Sequence, residues 1–264
     1  MTTPSTEQLS GPRGHALVRY LGHSTLVVEL DGVRILTDPI LRGRVTALMR
    51  RRGLSRDLAV HPPDAVLISH MHHDHLDIPS LERLGMDAPL LVPRRAGSFL
   101  SRRGFRDVRE LHPGDAVELG GVRILATSAR HTGFRVPFGP WGGCLGFVIE
   151  GTQRIYFAGD TDLFPGMGAL GLIDLALLPI AGWGPVLVTG HLNPVRAARA
   201  LQLIRPRVAV PIHWGTLAPI GMHLHHWPYL IKPPRELIHH ASFFAPEVQV
   251  RVLEPGDSLD LAPA

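Results

Sequence analysis

Residues 64–75 read Asp-Ala-Val-Leu-Ile-Ser-His-Met-His-His-Asp-His, a short apolar run that ends in a dense group of metal-ligand side chains. Ala65 to Ile68 has the length and character of a buried strand. His70 and His72 lie two apart, so on extended chain their rings point the same way. Asp74 and His75 follow where the chain can curl back and offer one oxygen and one nitrogen to a second ion. Imidazole suits zinc or iron, and a carboxylate makes the second position harder. A chain carrying this segment must end a strand at a polar pocket and complete that pocket from elsewhere.

The same grammar recurs downstream. Val122 to Thr127 leads through Ser128-Ala129-Arg130 to His131, Arg154 to Gly159 leads to Asp160, and Val208 to Ile212 leads to His213. A ligand-type residue just past each strand suits a site built on rigid supports at one sheet edge. Five histidines and two aspartates suffice for two ions sharing a bridging carboxylate. Hairpins are equally legible. Val28 to Leu36 reappears as Val117 to Leu125, each copy two strand-like runs joined by Asp31-Gly32 or Gly120-Gly121. Glu150-Gly151-Thr152 reads as a third hairpin turn, and Leu111 to Asp115 and Leu253 to Asp257 as Pro-Gly turns leading into strands. Helices are predicted over Pro79–Leu84, Arg94–Arg103 and Pro194–Arg205, the last with Asn193 as N-cap, Pro194 at the first position and Pro206 as a stop. Ala197, Ala198, Leu201 and Ile204 form its buried stripe, and His191 sits just ahead of its N-terminus.

The chain resembles metallo-β-lactamase-fold hydrolases, with His70, His72, Asp74, His75, His131, Asp160 and His213 matching that superfamily's ligand positions in order. A narrower likeness points to the branch of N-acylphosphatidylethanolamine-hydrolysing phospholipase D and L-ascorbate 6-phosphate lactonase. It is carried by Gly22-His23-Ser24-Thr25, Leu36-Thr37-Asp38-Pro39, Gly190-His191-Leu192-Asn193-Pro194 and Pro211-Ile212-His213-Trp214-Gly215-Thr216. The resemblance implies an α/β fold, a four-layer αββα sandwich. It implies one divalent ion, zinc by default with manganese or iron as alternatives, on His70, His72 and His131. A second lies on Asp74, His75 and His213, and Asp160 bridges them. The implied attacking species is a metal-bound hydroxide. Asp74 would accept a proton, and His191 would hydrogen-bond a substrate oxygen. Asp38 would orient a ligand histidine, and His23 would face the site without ligating.

At 264 residues, 45% hydrophobic and 19% charged, the chain has ample core material. Residues 1–14 are polar and expected to be flexible, with residues 15–264 forming one metallo-hydrolase domain. No uninterrupted span of about 18 apolar residues exists, so no transmembrane helix is expected. The absence of an export signal and a lone cysteine, Cys144, suit a reducing cytoplasm. Cys144 reads better as a small buried apolar residue than as a nucleophile.

The net charge is +4 with a pI near 9.9, and Lys232 is the only lysine. Arginines gather at Arg42, Arg44, Arg50, Arg51, Arg52 and Arg56, a loop that either reaches an anionic substrate or is solvated surface. The second group, Arg94, Arg95, Arg102, Arg103 and Arg106, reads as a solvated face. Trp141, Trp183, Trp214 and Trp227 fall near the ligand-bearing loops with Phe134, Phe138 and Phe164, which suits an apolar pocket rim. His73 occupies a variable motif slot, His223, His225 and His226 lie in a loop, and His239 and His240 read as surface.

The first functional reading is hydrolysis of a phosphodiester or related small anionic ester. The second is a lactonase acting on a phosphorylated sugar lactone. A non-catalytic metal-binding protein is the reading of a different class. Nucleic acid is not the expected partner, since no separate module for it is present, and β-lactams are disfavoured because that activity goes with export.

Overall fold

The computed structural model describes residues 16–51, 62–137, 139–182 and 189–262. The expected flexible segment 1–14, Arg52, Arg56, Phe138 and Trp183 lie outside the described residues. In chain order the strands begin with β1 (Ala16–Gly22), β2 (Thr25–Leu30), β3 (Val33–Thr37), β4 (Arg44–Val45), β5 (Leu48–Arg50) and β6 (Ala65–Leu67). They continue with β7 (Leu90–Pro93), β8 (Val108–Leu111), β9 (Ala116–Leu119), β10 (Val122–Ser128), β11 (Leu145–Glu150) and β12 (Arg154–Phe157). The last are β13 (Leu175–Pro179), β14 (Val208–Ile212), β15 (Leu217–Pro219), β16 (Gln249–Val250) and β17 (Ser258–Leu261). The helices are α1 (Ile78–Leu84), α2 (Ala96–Ser101), α3 (Pro194–Ile204), α4 (Pro228–Ile231) and α5 (Pro233–Phe244).

Two 7-stranded sheets carry the fold, ordered β17-β1-β2-β3-β6-β7-β8 and β16-β14-β13-β12-β11-β10-β9. Period-two alternation decides what each strand faces. In β2, Leu26, Val28 and Leu30 join the core between the sheets, whereas Val27 packs outward with Leu81 and Phe99. In β14, Val208, Val210 and Ile212 face inward, and Ala209 packs outward with Ala197, Leu201 and Leu237. The apolar layers therefore run helix, sheet, sheet, helix, with α1 and α2 outside one sheet and α3 and α5 outside the other. This is the four-layer αββα sandwich. A 3-stranded sheet, β15-β5-β4, lies apart from it and was not foreseen.

The hairpin turns follow their chemistry. Asp31 and Gly32 have φ of 50° and 86°, and Gly120 and Gly121 have 57° and 89°, the paired positive values that a two-residue turn between twisted strands requires. The Asp31 carboxylate also accepts from Thr152 N (2.7 Å) and Thr152 Oγ1 (2.6 Å), tying a hairpin of one sheet to a hairpin of the other. Asn193 Oδ1 accepts from Arg196 N at 2.9 Å, so α3 starts as expected. Its C-cap Arg205 turns left-handed at φ 51° just before Pro206. The second helix is shorter than predicted because Arg95 takes φ 71°, which no right-handed helix accommodates. Helix α5 was missed, its exposed His239 and Phe243 and half-buried His240 blurring the buried Leu237 and Ala241.

Candidate metal centre

Every expected ligand stands just beyond a strand end. Asp38 follows β3, His70 follows β6 by way of Ile68 and Ser69, and His131, Asp160 and His213 lie beyond β10, β12 and β14. His23 occupies the turn between β1 and β2, and His191 precedes α3. Gly159 makes the approach possible: its φ is +57°, and a Cβ there would lie 2.4 Å from Ser69 Cβ. Three non-glycine residues of the cluster hold positive φ, His23 at 60°, Asp38 at 33° and His213 at 58°. Such backbone strain persists where surrounding structure imposes it, as at functional sites.

The side chains converge in overlapping groups whose potential ligand atoms lie within 4.8 Å of one another: His70, His72 and His131; His70, His75 and Asp160; His23, Asp74, His75 and His213; and His131, Asp160 and His191. All seven expected ligands are brought together. His23 and His191 come closer than foreseen, with His23 Nε2 3.1 Å from Asp74 Oδ2 and His191 Nε2 3.4 Å from Asp160 Oδ2. His23, His70, Asp74, His75, Asp160 and His213 are buried, whereas His72, His131 and His191 are partly exposed. The cluster therefore opens on the side of those last three rings.

Hydrogen bonds fix the imidazoles. His131 Nδ1 donates to Gly190 O and His213 Nδ1 to Ala181 O, both at 2.9 Å, turning each Nε2 toward the cluster. His75 Nδ1 donates to Asp38 Oδ2 at 2.6 Å. The inward nitrogens crowd together: His75 Nε2 and His213 Nε2 are 3.1 Å apart, and His131 Nε2 and His72 Nδ1 are 3.2 Å apart. His213 Nε2 and His75 Nε2 lie 3.2 and 3.3 Å from Asp160 Oδ2.

Electrostatics divide the rings into two sets. Burial pushes His70 well below the ordinary histidine range, His131 down to about 4 and His23 down to about 3, with neighbouring histidines adding to it. These rings are neutral, with a lone pair to offer. Burial opposes a charge on His75 and His213 too, but the surrounding carboxylates together outweigh it, Asp160 foremost, lifting His213 to about 9 and His75 well above its usual value, so an incoming cation would displace a proton from each. Burial would likewise raise Asp160 and Asp74, yet the surrounding histidines hold both well below the carboxylate range. Two observations test the donor set against cations. His70 Nε2 and Asp160 Oδ1 are buried without any hydrogen-bond partner, and an orphaned lone pair of this kind is costly in an interior. A divalent ion satisfies both, and the imidazole and carboxylate donors suit one. The residues fit the group.

Other expected participants are placed elsewhere. Arg42 pairs with Asp77 at 2.6 Å, and Arg50 donates to Ile40 O (2.6 Å) and Leu21 O (3.1 Å). Arg51 donates to Gly215 O at 2.9 Å and His223 O at 3.2 Å. These guanidiniums brace loops through backbone carbonyls and the Asp77 carboxylate. Trp214 is buried, donates from Nε1 to Pro211 O at 3.0 Å and packs with the α3–α5 layer, where Phe164 joins it. It is core, not pocket rim. Trp141 and Trp227 remain exposed, the former against Phe134 with ring centroids 4.9 Å apart. Cys144 is half-buried, and burial raises its thiol to about 12, which excludes a ready nucleophile. His73 turns away to Val136 O at 2.9 Å. Sequence reasoning missed the backbone acceptors Gly190 O and Ala181 O, which carry no side-chain signature, and Arg135. The Arg135 guanidinium is buried and donates to Met71 O (2.6 Å) and Leu76 O (2.9 Å), clamping both ends of the ligand loop.

Residues 33–214 match the Beta-lactamase superfamily domain. Fold, donor set and match together define a metallo-β-lactamase-type hydrolase. The chain is 32% identical over 252 residues to a UPF0173 metal-dependent hydrolase of Methanopyrus kandleri, covering 92% of this chain and 99% of that one. It is 33% identical over 254 residues to a UPF0173 metal-dependent hydrolase of Deinococcus radiodurans, again covering 92% and 99%. The chain belongs to the UPF0173 metal-dependent hydrolase family. Among solved structures it is similar to Igni18, a metallo hydrolase from Ignicoccus hospitalis, with a TM-score of 0.73, 28% identity, and 93% and 98% of the two chains covered.

Proposed function

We propose that this enzyme hydrolyses a phosphodiester or related small anionic ester at a pair of divalent cations. The observation that carries the reading is the convergence of imidazole nitrogens on Asp160, with His70 Nε2 and Asp160 Oδ1 buried and unpartnered. His70, His72 and His131 would hold one ion and Asp74, His75 and His213 the other, Asp160 offering an oxygen to each. Two such ions polarise a phosphoryl or acyl oxygen and make an attacking water more acidic near neutral pH. Zinc is the first candidate for so imidazole-rich a set, with manganese and iron as alternatives.

The protein's own groups have distinct tasks in this reading. Asp74, held ionised and steadied at Oδ2 by His23, accepts a proton from the attacking water. His191, on the open side, donates a hydrogen bond to a substrate oxygen as negative charge grows there. Asp38 holds the His75 ring in place. A substrate would reach the centre from the side of His72, His131 and His191, the partly exposed rings of the cluster. A phosphorylated sugar lactone, an anionic ester of the same kind, is the second reading.

The test pairs metal analysis with turnover of bis(p-nitrophenyl) phosphate and a panel of lactones, after separate reconstitution with zinc, manganese and iron. Two equivalents of metal with phosphodiester turnover support the proposal. Lactone turnover alone moves it to the second reading, and a fully loaded protein inert to both leaves a metal-binding protein without this catalysis.

A further inference from the structure

We propose that Ser69 is a positioning residue of the metal centre, its hydroxyl extending the hold of the Asp38 carboxylate from His75 to His70. The inference rests on the metal-centre reading above and adds a residue to it. Ser69 is buried, and three short contacts meet there: Ser69 N to Asp38 Oδ1 at 2.7 Å, Ser69 Oγ to Asp38 Oδ2 at 2.6 Å, and Ser69 Oγ to His70 Nδ1 at 2.9 Å. A hydroxyl carries one proton. Asp38 Oδ1 accepts from Ser69 N and its Oδ2 from His75 Nδ1, so the carboxylate is the acceptor among its neighbours; Ser69 gives its proton to Asp38 and must itself accept from His70. His70 therefore carries its hydrogen on Nδ1, which leaves Nε2 bare, and Nε2 is the buried atom without a partner.

The chain of donors runs His70 Nδ1–H to Ser69 Oγ–H to Asp38 Oδ2, which also receives His75 Nδ1–H. One carboxylate thus fixes the tautomer and ring plane of two imidazoles that belong to different ions of the pair. Asp38 touches His75 directly and reaches His70 only through Ser69. Deleting the hydroxyl should therefore weaken one ion of the pair far more than the other. Polar partners of metal-binding histidines commonly change affinity by about 10–100-fold, and that is the loss expected at the His70 ion alone.

Long-range ¹H–¹⁵N NMR of the metal-depleted wild-type chain reads the tautomers directly. The expected result is His70 protonated at Nδ1 and not at Nε2; a His70 carrying its proton on Nε2 overturns the proposal with no variant needed. Ser69→Ala removes the hydroxyl and adds no bulk. It should mix the His70 tautomers and lower affinity for one of two metal equivalents in a chelator competition. Ser69→Thr, if it folds, should restore both. A Ser69→Ala protein with unchanged His70 tautomer and two wild-type affinities would also overturn it. If the wild-type chain binds no metal, the proposed function fails, while the tautomer measurement still decides the part played by Ser69.

Discussion

Single side chains in this molecule are governed by what burial forbids them to do. Asp74 keeps its charge only because His75, His213 and His23 surround it. Asp74→Asn should lower turnover by about 10²–10⁴-fold, the usual contribution of a positioned proton acceptor, while the chain still folds cooperatively, its melting temperature lowered by no more than metal removal lowers it. Steady-state kinetics and a thermal melt check both halves of that statement. Cys144 illustrates the opposite sign. Burial lifts its thiol from an ordinary 9.0 to about 12, so between those values the folded chain keeps a proton that the unfolded chain loses. Stability should accordingly fall as pH rises above about 9, and alkylation by iodoacetamide at pH 8 should be slow until denaturant is added. A native thiol as reactive as free cysteine would contradict that. At this scale the sequence was readable where a side chain belongs to a recognisable motif, and not at Arg135 or Ser69, which belong to none. The seven expected ligands and Asp38 were named from strand endings, motif spacing and family likeness, whereas Gly190 O and Ala181 O were not, because any residue can supply a carbonyl.

Elements hold the centre in register. The loop from Met71 to Leu76 has no regular structure of its own, and Arg135 pins both ends from across the sandwich while stacking over Phe99 at 5.2 Å. Arg135→Gln should cost on the order of 2 kcal/mol in chemical denaturation, since two buried carbonyls lose a charged donor. Metal affinity should fall with it, and Arg135→Lys should restore part of the loss, since both bonds come from Nη1 alone and one ammonium can donate to two carbonyls. Replacing the N-cap, Asn193→Ala, should cost about 1 kcal/mol in the same assay. A loss in the Asn193 variant as large as in the Arg135 variant would show that α3, not the clamp, dominates. Helix α3 and the hairpins were legible because their caps and turns are local signals. Helix α5 and the small sheet of β4, β5 and β15 were not, because their pairing partners lie far along the chain: Leu48 meets Pro219, and Arg50 meets Leu217.

Over the whole molecule, no helix among the described residues is long and apolar enough to cross a membrane. Stability should depend on the ions. A ligand present at 100 times its dissociation constant adds about 2.7 kcal/mol, so stripping the metal should lower the melting temperature on the order of 5–10 °C. Re-addition of zinc or manganese should recover it in a thermal-shift assay, and an unchanged melting point would argue that the ions contribute nothing to the folded state. The sandwich itself was inferred from repeated hairpins and likeness to a family, not from local propensity, since layer order is set by which faces become apolar together. That layering has a further consequence. His23, Asp38 and His70 to His75 arrive from one sheet, and His131, Asp160, His191 and His213 from the other. Under the proposed assignment, neither sheet supplies all the ligands of either ion. Nicking the backbone at the connection between β8 and β9 should yield two pieces that are each poor chelators, and tight ion uptake should return only when they reassociate.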